Sequence, residues 1–309
     1  MKILVTGGYG MLGSAFSNLD TKHEVIRIGR QHADLTDHKS FIKVLNKFKP
    51  DSVIHLAAMV GGVKANMDNV ADFYSINSRI NDSVLTGCHF CGIEKVVSLL
   101  STCIYPDKCK YPLTEEQIHN GNPHESNFGY AYAKRMLHIQ SKALRKQYNR
   151  NYICAVPNNL FGLEDNFDLE NSHVIPAIIR KIWEAKLTNK PPIFWGDGSP
   201  LREFTYAKDI ADILIFLLEK YNSDFPINIG STEERSIKSI VELVSKYFDY
   251  SGKVVWDKSK PSGQFRKPSC NKNLTRLGWD KNRFTNFETG LEQTCKWFVD
   301  NYPNVRGVI

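Results

Sequence analysis

Met1-Lys2-Ile3-Leu4-Val5-Thr6-Gly7-Gly8-Tyr9-Gly10-Met11-Leu12-Gly13 is the stretch on which the reading of the fold turns. The apolar run Lys2–Thr6 reads as a strand, and it breaks directly into glycines at 7, 10 and 13. That GxxGxxG spacing, after a strand and opening a helix, predicts a tight strand-to-helix turn. The first glycine permits the turn, the middle one lets a pyrophosphate approach backbone N–H groups, and the last packs helix on strand. A βα turn without a ligand also needs glycines, so the triplet points to a dinucleotide without proving one.

Outward from that turn, Glu24–Ile28, Ser52–Leu56, Lys95–Leu100 and Tyr152–Val156 read as further strands. Between the second and third, Phe41, Val44, Leu45 and Phe48 form an i, i+3, i+4, i+7 stripe closed by Pro50, and Asp72 to Cys91 reads as a long helix. This alternation predicts an α/β fold, a Rossmann doubly wound parallel sheet, with its ligand beyond the carboxyl ends of the strands. Past Phe161 the pattern changes. An acidic, Asn-rich loop from Gly162 to Ser172 leads to a helix Val174–Lys186, a strand Pro192–Trp195, a helix Ile210–Leu218, a strand Ile227–Ile229 and a helix Ile237–Phe248. We read residues 1–165 as the dinucleotide-binding domain and 166–309 as mainly a smaller α/β substrate-binding domain, with crossings back to the first.

The 309 residues can bury a sizeable core, and 42% hydrophobic with 24% charged residues is ordinary globular usage, which excludes disorder and coiled coil. A net charge of +7, spread along the chain, suits an anionic small molecule at least as well as nucleic acid. No run approaches the ~18 apolar residues of a membrane span. Seven cysteines, an odd number, in a chain without a recognisable export signal imply reduced thiols and a cytoplasmic setting. Cys88-His-Phe-Cys91 has CxxC spacing but no second ligand pair, so no metal is expected.

The second strand ends Arg27-Ile28-Gly29-Arg30, with no carboxylate before Asp34. An NAD site places an acid there for the ribose 2′-hydroxyl, whereas a guanidinium suits the 2′-phosphate of NADP(H). Tyr130 and Lys134 stand at i and i+4, neighbours on one helical face. An ammonium beside a phenol favours the phenolate, and such a tyrosine can protonate the oxygen of a carbonyl accepting hydride. Ser101, just after a predicted strand, can hydrogen-bond the same oxygen. Tyr132 is a decoy, since its i+4 partner is Met136.

Ser101-Thr-Cys103 adds a thiol that ketone reduction does not need. A thiolate can take a proton alpha to a carbonyl, and His173, at a predicted helix start, can return one to the opposite face. Both residues also have an ordinary structural reading. Trp195 to Arg202 couples an aromatic, a flexible turn and an arginine, which suits a stacked base and a diphosphate, or else a surface hairpin.

Together the glycine run, Asp34–Asp37, His55–Gly62, Ser101–Asp107, Phe128–Arg135, Asn159-Leu160, Trp195–Phe204 and the closing Trp297–Tyr302 resemble the GDP-L-fucose synthases, within the extended short-chain dehydrogenase/reductases. The resemblance runs nearly end to end. It implies a homodimeric NADP(H)-dependent 3,5-epimerase and 4-reductase that converts GDP-4-keto-6-deoxy-D-mannose to GDP-L-fucose. It implies Tyr130 as proton donor at C4, Lys134 as its partner, Ser101 as carbonyl hydrogen-bond donor, Cys103 as epimerisation base and His173 as acid. Cofactor contacts are implied at Gly7, Gly8, Tyr9, Gly10, Met11, Leu12 and Gly13, and at Arg30, Asp34, Leu35 and Ala57. Further along they are implied at Leu99, Leu100, Ser101, Lys134, Pro157, Asn158, Asn159, Leu160 and His173. Lys181, Trp195, Arg202 and Lys267 fall at GDP-sugar positions. Two positions depart from the family, Asn158 where Thr is common and Ser262 where some members carry an acid. The rival reading is an NAD-dependent 4-epimerase or 4,6-dehydratase, but dehydratases of this group carry an acid where Cys103 stands.

Overall fold

The computed structural model describes residues 1–260 and 265–308, so the departure at Ser262 lies outside the described residues. Eleven strands are present among them: β1 (Lys2–Thr6), β2 (Glu24–Ile28), β3 (Ser52–His55), β4 (Lys95–Leu99), β5 (Asn151–Pro157), β6 (Asn159–Phe161), β7 (Ile193–Trp195), β8 (Leu201–Tyr206), β9 (Ile227–Ile229), β10 (Glu234–Ser236) and β11 (Val255–Asp257). The helices are α1 (Met11–Ser14), α2 (His38–Phe48), α3 (Val63–Asp68), α4 (Val70–Phe90), α5 (Phe128–Tyr148), α6 (Val174–Thr188), α7 (Ala207–Lys220), α8 (Ile237–Tyr247), α9 (Lys272–Arg276) and α10 (Phe287–Asn301).

Six strands form one sheet in the order β2-β1-β3-β4-β5-β9, every pair parallel. Ile3, Leu4 and Val5 are wholly buried, because helices cover both faces of a parallel sheet. One core layer joins the sheet to α2, α4 and α5 through Phe41, Leu45, Val84, Leu85 and Leu137. The opposite layer holds α7 through Ile210, Leu214 and Leu217. The strand order reverses at β1, so the crevice for a ligand lies between the carboxyl ends of β1 and β3. β9, far along the chain, pairs with β5 and completes the sheet.

Local chemistry explains the boundaries. The Asp37 carboxylate caps α2 by accepting from the N–H groups of Lys39 (3.0 Å) and Ser40 (3.2 Å). The helix ends at Lys49, φ 48°, just before Pro50. Its Phe41 packs so closely on α4 that a Cβ at Gly87 would stand 2.9 Å from the ring. Truncating this wholly buried phenylalanine to alanine costs ~3–5 kcal/mol.

A second lobe packs α6, α8 and α10 around β6, β8 and their partners, with Phe161, Phe167, Ile179, Phe204, Val244 and Phe298 in its core. There β8 lies between β6, which runs parallel to it, and β10, which runs antiparallel. Two local findings differ from the sequence reading. The helix expected after the glycine turn is only the four residues of α1, continued by a 3₁₀ turn at Ala15–Asn18 whose Phe16 stays in the core beside Leu12. A separate short helix, α3, precedes the long helix, which begins at Val70.

Candidate active site

Three glycines meet different neighbours at the first turn. A Cβ on Gly7 (φ +67°) would lie 2.9 Å from the Ala57 nitrogen, and one on Gly13 would lie 2.2 Å from the Gly7 carbonyl oxygen. Packing alone demands both. A Cβ on Gly10 would touch only the Gly7 oxygen, at an ordinary 3.5 Å. The protein leaves open the space above Gly10, as a pyrophosphate laid across the turn requires.

No carboxylate stands at the end of β2. The Arg27 guanidinium lies over the Tyr9 ring, 5.2 Å from its centroid, and donates to the Gly8 carbonyl at 3.3 Å. Arg30, three residues on, is exposed. Asp34 turns its carboxylate onto Thr36, accepting from the N–H at 2.9 Å and the hydroxyl at 2.7 Å, and these bonds hold its pKa below the ordinary carboxylate value. Leu35 is half-buried against the core layer under β2. The donor set fits a phosphorylated dinucleotide.

Ser101 caps a 3₁₀ turn, Thr102–Ile104, at the carboxyl end of β4, accepting from the Cys103 N–H at 3.3 Å. That turn splits its residues. Ile104 and Tyr105 go into the core, while Cys103 stays half-buried and outside it. Across from it, α5 presents Tyr130, whose phenol contacts the Ser101 hydroxyl and lies close enough to Cys103 to sense its charge. Lys134 is 2% exposed, one turn along α5. It donates to the Leu99 carbonyl at 2.8 Å, with its nitrogen 5.9 Å from the Tyr130 ring centroid. Tyr132 points elsewhere, donating to Asn122 at 3.1 Å beneath the Arg135 guanidinium.

The electrostatics correct one expectation. Burial pushes the Tyr130 phenol above its ordinary value, the proximity of Cys103 pushes it further, and only the Ser101 hydrogen bond pulls it down. The ammonium does not turn it into a phenolate, because Lys134 is itself desolvated and directed at Leu99. Burial lowers Lys134 to about 8.

His173 is the N-cap residue of α6. The residue is exposed at the surface, and desolvation by the surrounding protein, ahead of the Arg306 charge, holds its pKa below the ordinary imidazole value. The loop before it is tied to the β3–α3 loop by Gly62 N–H donating to the Asn171 carbonyl at 3.1 Å. A Cβ on Gly61 would stand 3.2 Å from Phe73, and Phe73 packs edge-on against Tyr130.

Of the residues read as sugar-nucleotide contacts, Lys267 and Arg202 sense each other's charge, and Lys267 also senses Cys103. Arg202 donates to the Leu201 carbonyl at 2.7 Å. Lys181 donates to the Ile193 carbonyl at 2.8 Å and lies over Phe194, while Trp195 at the end of β7 is 50% exposed. Asn158 is buried, and its amide accepts from the Thr205 hydroxyl (2.7 Å) and donates to the Ser231 carbonyl (2.6 Å). Only its backbone is left for a ligand. Asn159 is exposed and donates to the Glu203 carbonyl at 2.9 Å. Nothing local in the sequence marks Phe73 or Arg306, whose contacts with Tyr130 and influence on His173 the fold makes over long range. Among the described residues no group of three or more His, Cys, Asp or Glu is arranged to hold a metal, and no helix is long and apolar enough to cross a membrane.

A parallel sheet with a glycine turn at its switch point, and Ser101, Tyr130 and Lys134 converging beyond β4, define an extended short-chain dehydrogenase/reductase. The NAD dependent epimerase/dehydratase family matches residues 3–230, and the chain belongs to it, within the group of GDP-L-fucose synthases. It is 40% identical to a probable GDP-L-fucose synthase of Drosophila melanogaster, over 99% of both chains. It is 37% identical to a GDP-L-colitose synthase of Yersinia pseudotuberculosis, over 98% of this chain and all of that one. A crystal structure of a GDP-L-fucose synthetase from Naegleria fowleri bound to NADP superposes with a TM-score of 0.92, at 37% identity, covering 99% of this chain and 94% of that one.

Proposed function

We propose that this protein is a bifunctional 3,5-epimerase and 4-reductase that converts GDP-4-keto-6-deoxy-D-mannose to GDP-L-fucose with NADP(H) as cofactor. NADPH supplies the hydride that reduces C4. The observation that carries the reading is Cys103 on the same turn as Ser101, close enough for its thiol to act electrostatically on Tyr130. A reductase needs only the pair. A thiol next to it serves proton abstraction from carbons flanking the ketone.

Ser101 and Tyr130 grip the C4 oxygen, which acidifies the protons on C3 and C5 by enolisation. Cys103 takes such a proton and His173 returns one to the opposite face. Because the ketone is what makes those protons acidic, both inversions precede reduction. Tyr130, kept protonated by its burial, then delivers its proton to the C4 oxygen, and Lys134, lowered to about 8, can replace it near neutral pH. Lys267 and Arg202 suit the anionic end of the GDP-sugar, and Trp195 the base. Residues 1–165 hold the cofactor and 166–309 mainly the sugar nucleotide.

A homodimer is supported by the exposed apolar side chains Tyr74 on α4 and Met136 and Ile139 on α5, two helices packed against one another. Seven free cysteines support a cytoplasmic setting.

The test is incubation with the ketosugar nucleotide and NADPH. Loss of the reduced-nicotinamide absorbance together with a GDP-L-fucose product is expected. No oxidation of NADPH would overturn the reductase assignment. A different GDP-deoxyhexose as the only product, or turnover of a related 4-keto sugar alone, would overturn the substrate.

A further inference from the structure

A hydrogen-bonded chain crosses the sheet beneath the site, and only one placement of its protons satisfies every link. At the end of β1 the Thr6 hydroxyl oxygen accepts from the N–H groups of Leu56 and Ala57, both at 3.2 Å. Its own proton is then directed at His55 Nδ1, 2.9 Å away. His55 therefore carries its hydrogen on Nε2, which faces the Asn81 Oδ1 of α4 at 3.2 Å. The Asn81 Nδ2 in turn donates to the Ala133 carbonyl of α5 at 3.2 Å. Thr6 and His55 are wholly buried and Asn81 is 2% exposed, so water cannot replace a missing link cheaply.

The two ends of the chain are the two halves of the site. Ala57 is the wall that a Cβ on Gly7 would strike, so it seats the glycine turn. Ala133 lies between Tyr130 and Lys134 on α5. We propose that His55, in its neutral Nε2–H form, is a positioning residue for ketone reduction, holding the helix of Tyr130 and Lys134 in register with the cofactor turn through Thr6 and Asn81. This rests on the proposed reductase function. His55 does not titrate in this role. Burial, and then the charge of Lys134, hold its pKa down at about 3, while the Asn81 bond opposes them.

The test pairs two substitutions with a measurement on the unaltered protein. His55→Gln keeps an N–H donor where Nε2 lies, and His55→Asn keeps only an acceptor where Nδ1 lies. His55→Asn should lower kcat, counted per NADPH-binding site titrated by fluorescence, by about tenfold or more, with both KM values within about threefold. His55→Gln should recover most of that loss. Nitrogen chemical shifts of the ligand-free wild type should show the Nε2–H tautomer, neutral down to about pH 4. The Nδ1–H tautomer, or His55→Asn with unchanged kcat per site and merely less folded protein, would overturn the proposal. A wild type that fails to oxidise NADPH would sink the reductase reading instead, while the tautomer would still decide the chain.

Discussion

The Lys134 ammonium passes beneath Tyr130, 5.9 Å from the ring centroid, and hydrogen-bonds the Leu99 carbonyl at 2.8 Å. This lysine ties α5 to the end of β4 as well as serving the phenol. Tyr130→Phe should lower C4 reduction by about 10²–10⁴-fold and leave NADPH affinity unchanged. Lys134→Met should lose that activity and also melt at a lower temperature, since it frees the Leu99 carbonyl. Steady-state turnover alongside calorimetry separates the two, and equal melting temperatures would contradict the tether.

Cys103→Ser should keep reduction and slow stereoinversion, so that an unepimerised 6-deoxyhexose accumulates. Serine preserves the volume but is a far weaker acid than a thiol. Product analysis by NMR reads the ratio of epimers directly. A parallel fall in both activities would make Cys103 a shaper of the pocket.

The glycine turn gives a contrast within one motif. Gly13→Ala forces a methyl to 2.2 Å from the Gly7 carbonyl and should destabilise the fold by about 1–3 kcal/mol or prevent it. Gly10→Ala meets nothing tighter than 3.5 Å and should fold normally, yet weaken NADPH binding at least about tenfold. Denaturation midpoints and cofactor fluorescence titrations measure the two effects separately.

Acid should destabilise the protein through His55. Its imidazole is held at about 3 when folded, against 6.5 when free, so between those values the unfolded chain binds a proton that the native one refuses. Stability is fully present above about pH 6.5 and falls by ~1.4 kcal/mol per pH unit below it, by roughly 4–5 kcal/mol in all. Burial lowers His119, His138 and His173 as well, which steepens the slope. The difference in urea stability between wild type and His55→Gln, followed from pH 7 to pH 5, isolates this contribution, and a difference that does not change with pH would contradict it.

Asp165 works in the opposite direction. It is 4% exposed, its Oδ2 has no hydrogen-bond partner, and burial raises its pKa to about 7. The folded state keeps a proton there that the unfolded chain loses above about 4, so this contribution to stability is lost as the pH rises from about 4 to about 7. Asp165→Asn should raise the melting temperature most at pH 7 and above, progressively less at lower pH, and hardly at all near pH 4.

The sequence exposes those parts of the molecule that are encoded locally. The strand Lys2–Thr6, the glycine turn, the stripe from Phe41 to Phe48 and the Tyr130–Lys134 spacing all follow from runs or periods a few residues long. The shortness of α1 and the small sheet around β8 do not, because they depend on packing between distant segments. The direction of the Tyr130 shift was also hidden. Spacing alone shows a lysine one turn away, but only the fold shows that burial outweighs it. Lys267 near Cys103 and Arg306 near His173 are likewise products of tertiary structure.

The pairing of β9 with β5 also bears on how the polypeptide is made. During synthesis the seven-residue, largely apolar β5 emerges well before Ile227–Ile229, and until then its outer backbone is an open template for another strand. A ribosome-bound fragment stopping near residue 165 should therefore engage holding chaperones or aggregate, and the sticky interval should close only once the ninth strand has left the exit tunnel.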